Sequence, residues 1–589
     1  VSGDGHAFAD RARGVVSQKQ GDDAMWFKRQ ASQAVATMVL VLSSFIFGAG
    51  SVVHVDDDAP PGGDGLSWDT AYRFFQDGLA SAAKGGVAEI RVGQGSYKPD
   101  RDEANPDGTG DRYATFQLLN GVALMGGYAG IGAKNPDARD IELYETILSG
   151  DLLGNDGPDF ENNDENSYHV VTGWSINATA VLEGFTISSG NADFLDDHFP
   201  EYDGGGMLNL FSTSTVSNCT FSGNAALKDG GGMYNGGGSS PTVTNCSFSG
   251  NMAGWWGGGM RNSGGGAMVA DCSFSDNTAG LRGGGMFNGV SSPTVTNCTF
   301  SGNTAGIGGG MCNSFTSSPT VTNCTFSGNS AGFGGGMTNN STSSSTVTDC
   351  TFTGNTASSQ GGGMYNFTSL QWVQTVTNCS FSGNTASSQG GGMYNFTSAN
   401  VTNCTFSGNA ADLGGGMFNE KAGQIVFSCI LWNNSGGSLA GPGGTTVSYS
   451  DIEGGYDGEG NIDADPMFVD PGAGDHHLSS GSPCIDAADN TAVPKGIDTD
   501  LDGNPRFVDD LCTDNTGNGK PPLVDMGAYE FQVTCPWDLD CNGSVGAADL
   551  LSLLVSWGPC KGCPADFDGN GTVGASDLLA LLVNWGPCP

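Results

Sequence analysis

The chain has 589 residues, too long for one compact core, yet only 14% of them are charged and 98 are glycine. Its 21 Lys and Arg stand against 62 Asp and Glu, a formal charge of −41. That excess makes nucleic acid and anionic membrane poor partners and divalent cations plausible ones.

Met25-Trp-Phe-Lys-Arg-Gln opens a basic segment, followed by an apolar run from Ala34 to Phe47 and the small residues Gly48 to Ser51. This is the layout of a secretory signal peptide over 25–50, and the apolar run is short for a membrane span. Residues 1–24 are then expected to precede the true start. The protein is expected to be secreted or held at the cell surface, with no transmembrane segment after signal removal. Ser67–Ala80 reads as a short amphipathic helix capping the first open strand edge. Irregular strands are expected at Ala88–Val92, Thr115–Leu118, Val122–Leu124, His169–Thr172 and Val181–Ile187, within an N-terminal cap and irregular coils over 51–203.

From about 204 to 435 the stretch Pro241-Thr-Val-Thr-Asn-Cys-Ser-Phe-Ser-Gly-Asn251 recurs about every 26 residues. Gly-Gly-Gly-Met keeps step with it, ending at Met207, Met233, Met260, Met286, Met311, Met337, Met364, Met393 and Met417. Self-similarity at that period means a solenoid. Thr, Val, Phe and Cys without a 3.6-residue period mean strands. Strict alternation would put Val243 on the opposite face from Cys246 and Phe248, so a corner is expected at Asn245, which tolerates the left-handed conformation. A second corner is expected at Gly250-Asn251. Short strands and corners, about 26 residues per circuit, make a parallel β-helix with circuits stacked about 4.8 Å apart. Cys, Phe and Asn then form ladders, and the stacked amides can hydrogen-bond along the axis. A leucine-rich repeat is excluded by the absent leucine consensus. The cysteines are read as buried thiols rather than bridges, because in-register side chains rarely meet disulfide geometry. The Asn-Cys-Thr/Ser triplets match a glycosylation sequon but are read as corners.

Over 436–531 the repeat decays through Asp465-Pro-Met-Phe-Val-Asp-Pro471 and Ser482-Pro-Cys-Ile-Asp-Ala487. Asp498-Thr-Asp-Leu-Asp-Gly503 mimics a calcium loop, but Pro505 interrupts it and no helix comes after it, so it is read as a turn. After Cys535 the composition changes, and 533–589 holds two copies of one unit at an offset of 28. Asp538, Asp540, Asn542, Gly543, Ser544 and Asp549 stand at positions 1, 3, 5, 6, 7 and 12 of an EF-hand-type loop. Asp566, Asp568, Asn570, Gly571, Thr572 and Asp577 repeat the pattern. Oxygen donors at those spacings with a turn-making glycine suit calcium, with Ser544 and Thr572 giving backbone carbonyls. Asp at position 12 has a shorter reach than the usual Glu. A helix is expected after each loop, carrying Leu550, Leu551, Leu553, Leu554 and Trp557 and their equivalents Leu578 to Trp585.

Phe-Ser-Gly-Asn with Gly-Gly-Gly-Met resembles the repeats of polymorphic outer-membrane proteins. Val53-His-Val-Asp-Asp57, Ser167-Tyr-His-Val-Val171 with Gly184-Phe-Thr-Ile187, Asp500-Leu-Asp-Gly-Asn-Pro-Arg506 and Asp525-Met-Gly-Ala-Tyr-Glu530 resemble bacterial right-handed β-helix proteins of the choice-of-anchor type. The tandem tail resembles type I dockerins. Together these imply an all-β, right-handed parallel β-helix solenoid followed by a small α-helical, calcium-loop domain that docks on a cohesin-like partner. Ala547-Ala548 and Ala575-Ser576 depart from the larger residues dockerins use for recognition. Cys535 with Cys560 and Cys563 with Cys588 are expected to close each unit, leaving Cys541 without a counterpart.

Two functions are compatible with these features. One is a non-catalytic binding or adhesion scaffold with a polysaccharide or cell-surface ligand. The other is an extracellular polysaccharide lyase or glycoside hydrolase carrying a dockerin, which needs a base beside carboxylate-bound calcium or a pair of carboxylates. The coils between Arg282 and Lys421 hold no Lys or Arg. Two places remain for a site: the loop Asp193–Asp203 concentrates acids around Asp196, Asp197 and His198, and Lys98–Glu103 brings charges of both signs together; each is read as a solvated loop. No catalytic residue is assigned.

Overall fold

The computed structural model describes residues 50–194, 202–368, 373–442, 444–560 and 562–588. The expected signal peptide, apart from Gly50, and the residues before it lie outside these. No helix among the described residues is long and apolar enough to cross a membrane.

One circuit shows how the repeat folds. Strands Met286–Gly289, Thr294–Thr296, Thr299–Ser301 and Thr304–Ile307 come one after another. Each pairs in parallel with its equivalent one circuit on: Met286 with Met311, Val295 with Val321, Phe300 with Phe326 and Ala305 with Ala331. Repetition builds sheets of 14, 13, 12 and 8 strands. The corner falls where the alternation conflict requires it. Asn297 has φ 54° and Gly302 φ 64°, so Val295, Cys298 and Phe300 all turn inward and are at most 1% exposed.

Inside, Phe300 and Phe326 stack with centroids 4.8 Å apart and planes within 4°. Asn303 Nδ2 donates to Asn329 Oδ1 at 2.9 Å, one rung of the expected amide ladder. A second ladder, unforeseen in the sequence, uses the Asn two places after each Met: Asn288 donates to Asn313, and Asn313 to Asn339, each at 2.9 Å. The cysteines from Cys219 to Cys429 are free, buried thiols. The glycine triplets stack backbone on backbone, since a Cβ on Gly309 or Gly310 would lie 2.6 Å from the carbonyl oxygen of Gly335 or Gly336.

The N-terminal cap differs in detail from expectation. Trp68–Thr70 is a 3-10 turn, Tyr72 bridges Val55, and the α-helix runs from Phe75 to Ala82. The bridge holds Tyr72 extended and delays the helix. Phe75 then covers the end of the core, its ring 5.2 Å from Phe116 and 6.0 Å from Phe185.

Past Asp451–Ile452 no described strand joins the four sheets. The chain instead doubles back as a strap over the outside of the corners. Asn378 Nδ2 donates to Thr499 O (3.2 Å), the Asp489 amide to Ser428 Oγ (3.1 Å) and the Ala528 amide to Thr405 Oγ1 (3.0 Å). A second core of Leu478, Cys484, Ile485, Val524 and Met526 packs on Ile430, and Arg506 is fully buried beside Glu530.

Candidate metal centre

The tail contains two nine-residue helices, Ala547–Val555 and Ala575–Val583, each preceded by its loop. Their N-caps are Gly546 and Gly574, whose amides donate to the carboxylates of Asp549 (2.7 Å) and Asp577 (2.9 Å) at the third helical position. The position-12 aspartates thus start the helices as well as closing the loops. Gly543 and Gly571 take φ 83° and 84°, the left-handed turn expected at position 6.

Each loop brings its three carboxylates together. Asp538, Asp540 and Asp549 offer oxygens all within 4.8 Å of one another, and so do Asp566, Asp568 and Asp577. No basic side chain among the described residues pairs with any of the six. Asp538 Oδ2 also accepts the Gly543 amide at 2.8 Å, and Asp566 Oδ2 the Gly571 amide at 2.8 Å. Asp549 Oδ1 accepts from Leu539 (2.7 Å) and Asp540 (3.1 Å), which leaves it little capacity for a bidentate contact. Asn542 Oδ1 is engaged by the Ser544 amide and hydroxyl, at 3.0 and 2.8 Å. Asn570 is exposed, and Thr572 lies in a short strand. Three converging carboxylates without a counter-charge form a donor set suited to a hard cation such as calcium.

The disulfides correct the sequence expectation. Cys535 joins Cys588, Cys560 joins Cys563, and Cys541 joins Cys512. The reason is the pairing of the two copies. Ser544–Val545 pairs with Gly586–Pro587 at the end of the second unit, and Gly558–Pro559 pairs with Thr572–Val573. Each unit therefore closes on the other rather than on itself. Cys541, at a position that is Gly569 in the second copy, staples the tail to the strap.

Two more acidic groups escaped the sequence reading. Asp56, Asp57 and Asp58 converge at the end of the first strand, where Asp56 Oδ2 accepts from Ile131 (2.7 Å) and Asp57 Oδ2 from Ser96 (3.1 Å). Asp151, Asp156 and Glu165 converge near Lys98, whose Nζ donates to Leu152 O at 3.2 Å. Burial lowers the Lys98 pKa and raises those of Asp156 and Glu165. The Lys98–Glu103 segment thus meets carboxylates about 50 residues away, which no local motif signalled. Asp196, Asp197 and His198 lie outside the described residues. Asp500 accepts amides from Asp502 (3.0 Å), Asn504 (2.8 Å) and Glu530 (3.1 Å), so the calcium-loop mimic at 498–503 is a turn.

Residues 207–371 match the family described as "Right handed beta helix region". With the parallel pairing above, the solenoid is a right-handed parallel β-helix. No curated protein matches the chain. Among solved structures, the crystal structure of pectate lyase Pel9A is similar over 82% of this chain and 98% of that one, at 12% identity and TM-score 0.35. Neither likeness speaks to an activity.

Proposed function

We propose that the protein is a secreted or cell-surface binding scaffold, without catalysis of its own, whose dockerin-like tail is organised by calcium and docks on a cohesin-like partner. Asp538, Asp540, Asn542, Asp549 and the Ser544 carbonyl would hold one ion, and Asp566, Asp568, Asn570, Asp577 and the Thr572 carbonyl the other. Calcium would supply charge neutralisation within each loop. The carrying observation is the apolar surface next to those loops. Leu553 and Leu581 are buried between the copies, while Leu551, Leu554, Val555 and Trp557 and the matching Leu579, Leu582, Val583 and Trp585 stay 47–80% exposed. So large a duplicated apolar surface on so small a unit calls for a covering partner. The test is binding of the full-length protein to a cohesin domain and to bacterial surfaces, in calcium and in chelator. Calcium-dependent capture lost on Leu551→Asp with Leu579→Asp supports the reading; no capture in either condition overturns the docking role.

Lys98 favours a second reading, a polysaccharide lyase. A lysine whose pKa is lowered by burial, beside Asp151, Asp156 and Glu165, has the parts of a base next to a cation-binding carboxylate group. Release of unsaturated uronate from polygalacturonate, abolished by Lys98→Ala, would replace the scaffold reading.

A further inference from the structure

We infer that the outer face of the Gly-Gly-Gly-Met sheet is a binding strip for an anionic polysaccharide lying along the solenoid axis. This rests on the scaffold reading and names its surface and ligand class.

Aromatic side chains in the coils divide cleanly. Between residues 204 and 420 one set of phenylalanines stacks inside, and the remaining described aromatics gather outside this one sheet and its flanking turns. The other outward faces carry mostly Thr and Ser, with Met252 and Met268 exposed among them and no described aromatic ring. The cations keep to the same division. Lys228, Arg261, Arg282 and Lys421 are the only Lys and Arg from 204 to 435. Lys228 lies 5.1 Å from the Trp255 ring, Arg261 4.6 Å from Trp256, Arg282 5.7 Å from Phe315 and Lys421 5.1 Å from Phe396. In a chain of charge −41, every coil cation on one aromatic face is a selective arrangement.

The face is built in two layers. Phe287 is fully buried, its ring against Gly289, where a Cβ would come within 2.7 Å of it. Trp256 stacks on Phe287 at 5.1 Å and reaches Phe315 at 6.0 Å, so rings from both flanking turns roof it. Above this support Trp255 is 44% and Phe315 39% exposed. Arg261 is fixed by its ion pair with Asp229, and Arg282 donates only to Ser314 Oγ (3.4 Å), with no carboxylate partner among the described residues. Among the described residues the buried Oδ1 atoms of Asp203 and Asp229 and Nε of Arg261 have no hydrogen-bond partner. Exposed ring faces take the C–H faces of pyranoses, and Arg282 takes a carboxylate or sulfate in bidentate fashion.

The spacing fits a chain rather than a small molecule. Seven registered steps lead from Tyr234 to Phe418, about 34 Å at ~4.8 Å per step; apart from Arg261 this row is at most 8% exposed and serves as support, so the ligand meets the flanking rings above it, Trp255, Phe315 and, at 40% exposure, Phe367. Aromatic–cation clusters occupy both ends, and the small Cys312 and Thr338 lie between.

The test is affinity electrophoresis of the full-length protein in gels holding sodium polygalacturonate, dextran sulfate or dextran, each with calcium and with chelator. Retardation by polygalacturonate, dextran sulfate or both, but not by dextran, is expected, and the retarding polymer identifies carboxylate or sulfate as the charged group. It should persist in chelator, because the strip uses no metal. Trp255→Ala and Arg282→Gln, both at the surface, should each weaken binding roughly tenfold with unchanged melting. Equal retardation by dextran, dependence on calcium, no retardation at all, or variants that bind like the parent would each overturn the assignment. Cell-surface binding that survives both substitutions would leave the scaffold reading standing and remove only this face.

Discussion

Replacing Asn329 by alanine tests whether the inner amide ladder holds the coils together. Its side chain makes four hydrogen bonds. It accepts the Asn303 amide (3.0 Å) and Nδ2 (2.9 Å), and donates to Phe300 O (2.9 Å) and Asn355 Oδ1 (2.9 Å). Asn303 Nδ2 keeps Phe274 O as a partner, but the Asn303 amide is orphaned in the core. An orphaned buried donor costs about 1–3 kcal/mol and each of the other three bonds about 0.5–1.5, so the loss is about 2.5–7.5 kcal/mol. Because solenoid circuits lean mainly on their neighbours, that loss should appear as local opening. Urea unfolding followed by circular dichroism, with hydrogen exchange across residues 300–355, measures it. Asn297→Gly is the contrast. Asn297 is exposed, has φ 54° and bonds only its corner neighbours, Asp271 and Asn323, and glycine takes that conformation freely, so less than about 1 kcal/mol should be lost. An Asn329→Ala protein within about 1 kcal/mol of the parent, or equal effects of the two substitutions, would refute the separation of bonding from conformational asparagines.

Asp538→Ala combined with Asp566→Ala should abolish calcium-dependent stabilisation of the tail in calorimetry of the full-length protein while the solenoid transition stays put. Three like charges within 4.8 Å of one another in each loop repel until a cation neutralises them, so identical tail melting of the parent in calcium and in chelator would remove the metal assignment. Cys298 and Cys324, each 1% exposed, should resist alkylation in the native protein. Ready labelling of either would contradict the inward ladder. The strap should loosen as pH rises. Hydrogen bonding to Asp502, helped by Asp475, raises His477 to about 9, so its contribution is complete below its ordinary value near 6.5 and is lost as pH passes through about 9. Burial pushes Asp486 up to about 8 and raises Asp525 as well, so the stability tied to their protonated forms is complete at acid pH and is lost as pH rises through the raised values. Limited proteolysis of 460–531 against pH would show this, and an NMR titration placing His477 at or below 6.5 would refute it.

The coil was legible because one conflict admitted one solution. Val243 and Phe248 can share an interior only if the chain turns between them, and Asn245 is the residue that tolerates the turn, at φ 51°. What failed to read ahead was non-local. The helix at the N-terminal cap starts late because Tyr72 is drawn into a bridge with a strand seventeen residues earlier. Pairing each cysteine within its own copy assumed independent units, whereas the short strands cross between copies. The strap went unseen because its partners, such as Asn378 and Thr499, lie 121 residues apart.

A repeat separates two kinds of information by position. Places that stay the same in every circuit are those where each residue meets its own copy, and they encode the core: Val, Cys, Phe, Met and both asparagine ladders. Places that vary are free of that constraint and can be shaped for something other than the next coil. The residue after each Met is such a place. It runs Leu208, Tyr234, Arg261, Phe287, Cys312, Thr338, Tyr365, Tyr394, Phe418. Its side chains lie on the outer side of a sheet, where alternation would put polar groups, yet most are aromatic and buried beneath the flanking turns, and one is an arginine whose guanidinium sits between Tyr234, Phe287 and the neighbouring Trp256. The signal was in the sequence, one step from a motif strong enough to hide it. In solenoids the fold should be read from what the repeat keeps, and the binding surface from what it changes.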